Sequence, residues 1–136
     1  MTALETRTGL QRWWQEHSEL DALVDVVIEA LADGAIVSAT GSLEDLASAL
    51  ETHFELEESA YFPLVERLSP EHRSAVEGAR LGHRQIRERL GGLLELVEEG
   101  DLPGARAALA ALLDGFRAHE LEEAKLIARL EALAAT

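Results

Sequence analysis

Apolar residues recur at three- and four-residue steps along almost the whole chain, and this rhythm stops at three places. The first stripe reads Leu10, Trp13, Leu20, Val24, Val27 and Leu31, with His17 in phase. The second reads Leu46, Leu50, Tyr61 and Leu64, with His53 and Glu57 in phase. The third runs from Val76 and Ala79 through Ile86, Leu90, Leu94 and Val97, with His83 in phase. The fourth takes Leu109, Leu112, Phe116, Ile127 and Leu130, with His119 and Glu123 in phase. One apolar face per segment is the signature of an amphipathic helix.

The interruptions carry matching signals. Gly34 suits the residue that ends a helix, and Ser42 with Asp45 resembles a capping box, so the first break runs from Asp33 to Ser42. Ser69-Pro70 reads as an N-cap followed by the first helical residue, and Gly100-Asp101-Leu102-Pro103-Gly104 reads as a turn. The pair Gly91-Gly92 predicts a bend inside the third segment. Four helices joined by short links predict an all-α fold, an antiparallel up-down-up-down four-helix bundle, with residues 1–136 as one domain.

Composition agrees and narrows the function. The 24 Leu and 22 Ala far outnumber the 7 Val and 4 Ile, which disfavours sheets. A net charge of −14, with 26 acids against 12 bases, repels phosphate and excludes nucleic acid as a direct partner. It also disfavours anionic membrane surfaces. The absence of Cys rules out disulfides, thiolate metal sites, iron–sulfur clusters and Cys nucleophiles. The opening residues lack a secretory signal, and no apolar run is long enough to span a bilayer, so a soluble, cytoplasmic protein is expected.

Six positions that should be apolar are therefore the anomaly: His17, His53, Glu57, His83, His119 and Glu123. Each predicted helix contributes one His. In the second and fourth, Glu follows His four residues later, so both side chains share a helix face. Counted from the end of the bundle where the first helix starts, the six lie about 8 to 15 residues deep, a slab of about 10 Å. A lone His on an apolar face is ordinarily a hydrogen-bonded core residue. Four at one depth beside two buried acids need cations, because burying an unpaired carboxylate costs several kcal/mol. Imidazole with carboxylate and no sulfur suits iron, manganese or zinc. Four imidazoles and two bridging carboxylates give about eight donors, and an oxo or hydroxo bridge brings about ten. Two six-coordinate ions then keep about two positions open for a small ligand.

These residues resemble the hemerythrin-like family, also called HHE cation-binding domains. The matching features are His17, the run His53-Phe54-x-x-Glu57-Glu58-x-x-Tyr61-Phe62-Pro63, then His83, and His119-x-x-x-Glu123. The resemblance covers essentially the whole chain. It implies a four-helix bundle around two iron ions, with His17, His53, His83 and His119 as terminal ligands and Glu57 and Glu123 bridging. The oxygen-carrying hemerythrins have His-x-x-x-His in the third helix, whereas this sequence has Arg87 at the second position. The four-His, two-Glu set is similar to the di-iron domains of iron–sulfur-cluster repair proteins and of iron-sensing hemerythrin domains. The repair proteins also carry a Cys-containing segment that this sequence lacks.

The remaining polar residues near the stripes have two readings each. Arg87 either reaches outward to pair with an acid, or brings its charge to the open position and favours an anion such as peroxide. Tyr61 either packs in the core or donates a hydrogen bond to a bridging oxygen or bound ligand. Trp13 is expected in the dry wall beside His17, with Trp14 partly exposed. His72 is expected at the surface. Glu58, Glu120 and Glu122 are expected in solvent, with Glu58 able to shift into an open position.

The function implied is binding of dioxygen, peroxide or nitric oxide at the iron pair, for sensing, detoxification or oxygen handling. An enzyme of this kind would be a peroxidase- or catalase-like or oxygen-activating oxidoreductase. A second reading is an iron-binding sensor or buffer without redox turnover, and a third is a metal-free helical interaction module.

Overall fold

A computed structural model of the protein describes residues 3–134, with side chains from 9 to 133. Helix α1 spans Ala3–Ala32 and α2 spans Ile36–Leu56. A π-helical turn, Glu57–Tyr61, joins α2 to α3, Phe62–Leu68, so the three form one rod. A single 3-10 turn, Pro70–His72, precedes α4, Arg73–Glu98, and α5 spans Leu102–Ala134. Among the described residues every regular element is thus helical, in four rods, with no strand.

Two links close by the same backbone device. Gly34 and Gly100 adopt left-handed φ values of 70° and 78°. At each, the glycine N–H and the next N–H return to carbonyls of the last helical turn: Gly34 to Leu31, Ala35 to Ala30, Gly100 to Val97 and Asp101 to Leu96. Asp101 then caps α5 by accepting the Gly104 N–H at 3.0 Å, just past Pro103.

Two expected boundaries move. The first link is only Asp33–Ala35, so Ser42 does not cap a helix. Thr40 and Ser42 lie inside α2, where their hydroxyls donate to the carbonyls of Ile36 and Ser38 one turn earlier. Ser69 caps no helical N–H. Its hydroxyl meets His72 Nδ1 at 2.6 Å, and the 3-10 turn delays α4 to Arg73. Helix α4 runs without interruption through Gly91 and Gly92 to Glu98.

The π turn follows from Pro63, which has no N–H and whose ring crowds the carbonyl four residues back. The chain widens by one residue, and the Phe62 N–H reaches the Glu57 carbonyl five residues earlier. The widening changes the rod's facing. Residues eight apart in an ideal helix are rotated by about 80°, but absorbing one residue leaves only about 20°. Phe54 and Phe62 therefore present the same side and meet the same partner below.

Packing leaves the six anomalous residues in one layer. On one side Val27, Leu46, Phe54, Leu93, Leu112 and Phe116 form part of an apolar cluster. On the other, Trp13, Phe62, Val76, Leu126, Ile127 and Leu130 belong to a second. Polar contacts tie the rods to one another. Trp14 of α1 bonds Glu131 near the end of α5, and Leu31 at the other end of α1 accepts from Arg106 near the start of α5. Glu16 meets His53, and Arg80 of α4 meets Glu66 of α3.

Candidate metal centre

The polar layer is closed to solvent. His17, His53, His83, His119, Glu57 and Glu123 are all buried, with His83 and Glu57 fully so. One donor atom each from His17, His53, Glu57 and Glu123 lies within 4.8 Å of the others. The same holds for Glu57, His83, His119 and Glu123. Both carboxylates belong to both groups. Glu57 turns one oxygen to two histidines, whereas Glu123 gives a separate oxygen to each of two. Glu57 Oε1 lies 2.9 Å from His83 Nε2 and 3.3 Å from His53 Nε2. Glu123 Oε1 lies 3.1 Å from His17 Nε2, and its Oε2 lies 3.1 Å from His119 Nε2.

Electrostatics in this layer favour positive charge. Burial depresses the His17 imidazole, but hydrogen bonds and charge from Glu123 and Glu57 outweigh burial and raise it to about 10. His83 rises to about 9 through the same competition, and His53 is also raised despite burial, chiefly by Glu57. Burial pushes the Glu57 carboxyl up, but its hydrogen bonds to Glu123, His17, His53 and His83 carry it well below the usual carboxylate range. The buried acids thus favour the protonated forms of His17, His53 and His83.

Around the layer, neighbouring groups contact the histidines. Glu16 faces His53 Nδ1 at 3.0 Å, which selects the tautomer that leaves Nε2 directed at Glu57. Glu58 lies 3.5 Å from His83 Nδ1, and Arg87 holds Glu58 at 3.2 Å while pairing with both Glu51 oxygens at 2.9 Å. Phe54 and Phe62 both stack on His83, at ring separations of 3.8 and 5.3 Å. Arg87 covers the Phe54 ring and Arg80 the Phe62 ring. The Trp13 indole N–H donates to Glu57 Oε2 at 2.6 Å.

The family model described as Hemerythrin HHE cation binding domain matches residues 8–130. The chain belongs to this family. No curated protein and no solved structure matches it. Within the hemerythrin-like domain, the residues fit a cation centre on an independent observation. His53 Nε2, His119 Nε2 and Glu123 Oε2 are buried in the layer without an aligned hydrogen-bond partner, although charged neighbours lie close. Folded proteins rarely leave such atoms unsatisfied, and N/O donors of this kind suit iron, manganese or zinc.

The structure brings all six sequence-predicted ligands together and sorts their neighbours. Arg87 takes the outward, acid-paired reading and is tied to Glu51 and Glu58. Glu58 is half-buried between Arg87 and His83 rather than free in solvent. Tyr61 is buried and stacked on Trp13 at 4.9 Å, with its hydroxyl 3.5 Å from Glu16. The donor to Glu57 is Trp13, which does more than form a dry wall. Glu120 is half-buried, and burial together with Asp21 pushes its carboxyl up to about 7. His72 is half-buried against Ser69, whereas Glu122 is exposed.

Glu16 escaped the sequence reading, and Phe54 and Phe62 entered it as motif residues without their contact to His83. Glu16 lies three residues after Trp13 and four before Leu20, a spacing that places it on the flank of the α1 stripe beside α2. Trp13→Phe keeps an aromatic ring beside Tyr61 but leaves Glu57 Oε2 without its indole donor. Denaturant unfolding of chelator-treated protein is expected to show a loss of about 1–3 kcal/mol. A change below about 0.5 kcal/mol would remove Trp13 from the site.

Proposed function

We propose that this hemerythrin-like domain is an antiparallel up-down-up-down bundle holding two iron ions. In this reading His17 and His53 serve one ion and His83 and His119 the other, while Glu57 and Glu123 bridge them. The observation that carries it is the sharing of both carboxylates by two groups of four buried donors. A bridged iron pair with open positions supplies two electrons and a landing place for dioxygen, peroxide or nitric oxide. The chain's own part is to hold that pair in a layer between two apolar clusters, with Glu16 orienting His53 and the Phe54 and Phe62 rings stacked on His83. Arg87, paired outward, leaves the layer to neutral or weakly charged small ligands.

Metal analysis of freshly purified protein tests this reading. About two irons per chain are expected, with charge-transfer bands that respond to peroxide, azide or nitric oxide. Protein that stays folded but takes up no iron overturns it.

A second reading, iron sensing or buffering without turnover, has one observation in its favour. Hydrogen-bonded His–Glu contacts such as His17–Glu123 and His83–Glu57 hold the layer together without ions, which suits a site that fills and empties. An iron-dependent rise in melting temperature with no consumption of peroxide would favour it.

A further inference from the structure

Gly82 stands in the interior of α4, immediately before His83, with no turn and no left-handed φ to call for it. Glycine is among the weakest helix formers, so its presence in this rod has no backbone reason. Its surroundings supply one. A Cβ built at Gly82 would lie 2.6 Å from His119 Nδ1, 3.2 Å from Cε1 and 3.5 Å from Cγ. The imidazole of His119 therefore lies directly on the α4 backbone, in space that only a missing side chain leaves free. Other α4 glycines differ. A Cβ at Gly78, Gly91 or Gly92 meets nothing within 4 Å.

We infer that Gly82 is a positioning residue for His119: its bare backbone lets the ring approach closely enough for Nε2 to reach the shared carboxylates. The ring lies between α4 and Glu123, with Nε2 3.1 Å from Glu123 Oε2 and its opposite edge on Gly82. Any side chain at position 82 drives the ring off α4. Because His119 belongs to only one of the two donor groups, the displacement weakens one cation position and spares the other, formed by His17, His53, Glu57 and Glu123. This inference rests on the two-ion reading above.

The test compares Gly82→Ala with Gly78→Ala and Gly91→Ala in the full chain. Alanine favours the helix at all three positions, so both metal-free controls are expected to melt at or above the wild-type temperature. Metal-free Gly82→Ala is expected to stay folded within a few degrees of it, its helix gain offset by the displaced ring. Cobalt(II) titration is expected to give two ions per chain for wild type and both controls. In Gly82→Ala the first ion binds as in wild type, and the second binds roughly tenfold or more weakly. Two wild-type affinities in Gly82→Ala overturn the inference while leaving the two-ion reading intact. So does a Gly82→Ala chain that melts far below wild type with both ions weakened alike, because position 82 would then be a packing site. Wild-type protein that binds no cobalt and no iron overturns the two-ion reading and this inference together.

Discussion

Glu57→Ala is expected to be purified with well under one metal ion per chain, against about two for wild type. Glu57 is one of only two residues common to both donor groups, and its oxygens reach His53, His83 and His17. Its loss removes an anionic donor from both cation positions at once. Each position then keeps two imidazoles and a share of Glu123, too little negative charge to offset a buried divalent ion. His17→Ala is different in kind, because His17 belongs to one group only. That variant is expected to retain about one ion. The grading separates a bridging role from a merely structural one. Metal analysis of the two variants beside wild type reads it directly. Glu57→Gln keeps an acceptor for the Trp13 N–H, so a folded but metal-poor Glu57→Gln protein excludes misfolding as the cause. Two ions retained in either Glu57 variant would break the bridging assignment.

How far the sequence reached depended on whether a feature is periodic. The four rods and all six buried His and Glu were legible because a helix repeats its inward face at fixed steps, and a polar residue in phase is visible without coordinates. The Gly34 and Gly100 closures were legible because left-handed backbone selects glycine. Ser42 misled because its hydroxyl satisfies a carbonyl one turn back as readily as it caps a helix. The stack of Phe54 and Phe62 on His83 was hidden, since eight residues separate them and only the π turn aligns them. Glu16 and Gly82 were hidden for another reason. Their roles lie between rods, in the approach of α1 to α2 and of α5 to α4, which no single-helix pattern records.

Chelation is expected to leave a protein whose stability falls as pH rises. Without metal, His17 is raised to about 10 and His83 to about 9, against an ordinary imidazole value of 6.5. The folded state thus binds protons that the unfolded chain has released, and the resulting stability is complete below pH 6.5 and lost as pH climbs through 9 to 10. Glu120, pushed up to about 7, adds a loss of the same sign between about pH 4.5 and 7. Glu57 acts at the acid end: its depressed value contributes stability above about pH 4.5, which is lost as acid protonates it. Metal-free protein should therefore melt at steadily lower temperature from pH 7 to 10. In the two-ion reading, cations would take the place of those protons on the same imidazole nitrogens, so binding would release protons and strengthen with rising pH. At a thousandfold excess of free metal over its dissociation constant, each ion adds about 4 kcal/mol, which for a domain of this size is a rise on the order of 10 °C. The gap between loaded and chelated melting temperatures should widen from pH 6 to pH 9, with proton release detectable in weakly buffered titrations. A metal-free melting temperature that stays flat or rises between pH 7 and 9 would mean that the buried imidazoles do not carry the protons assigned to them.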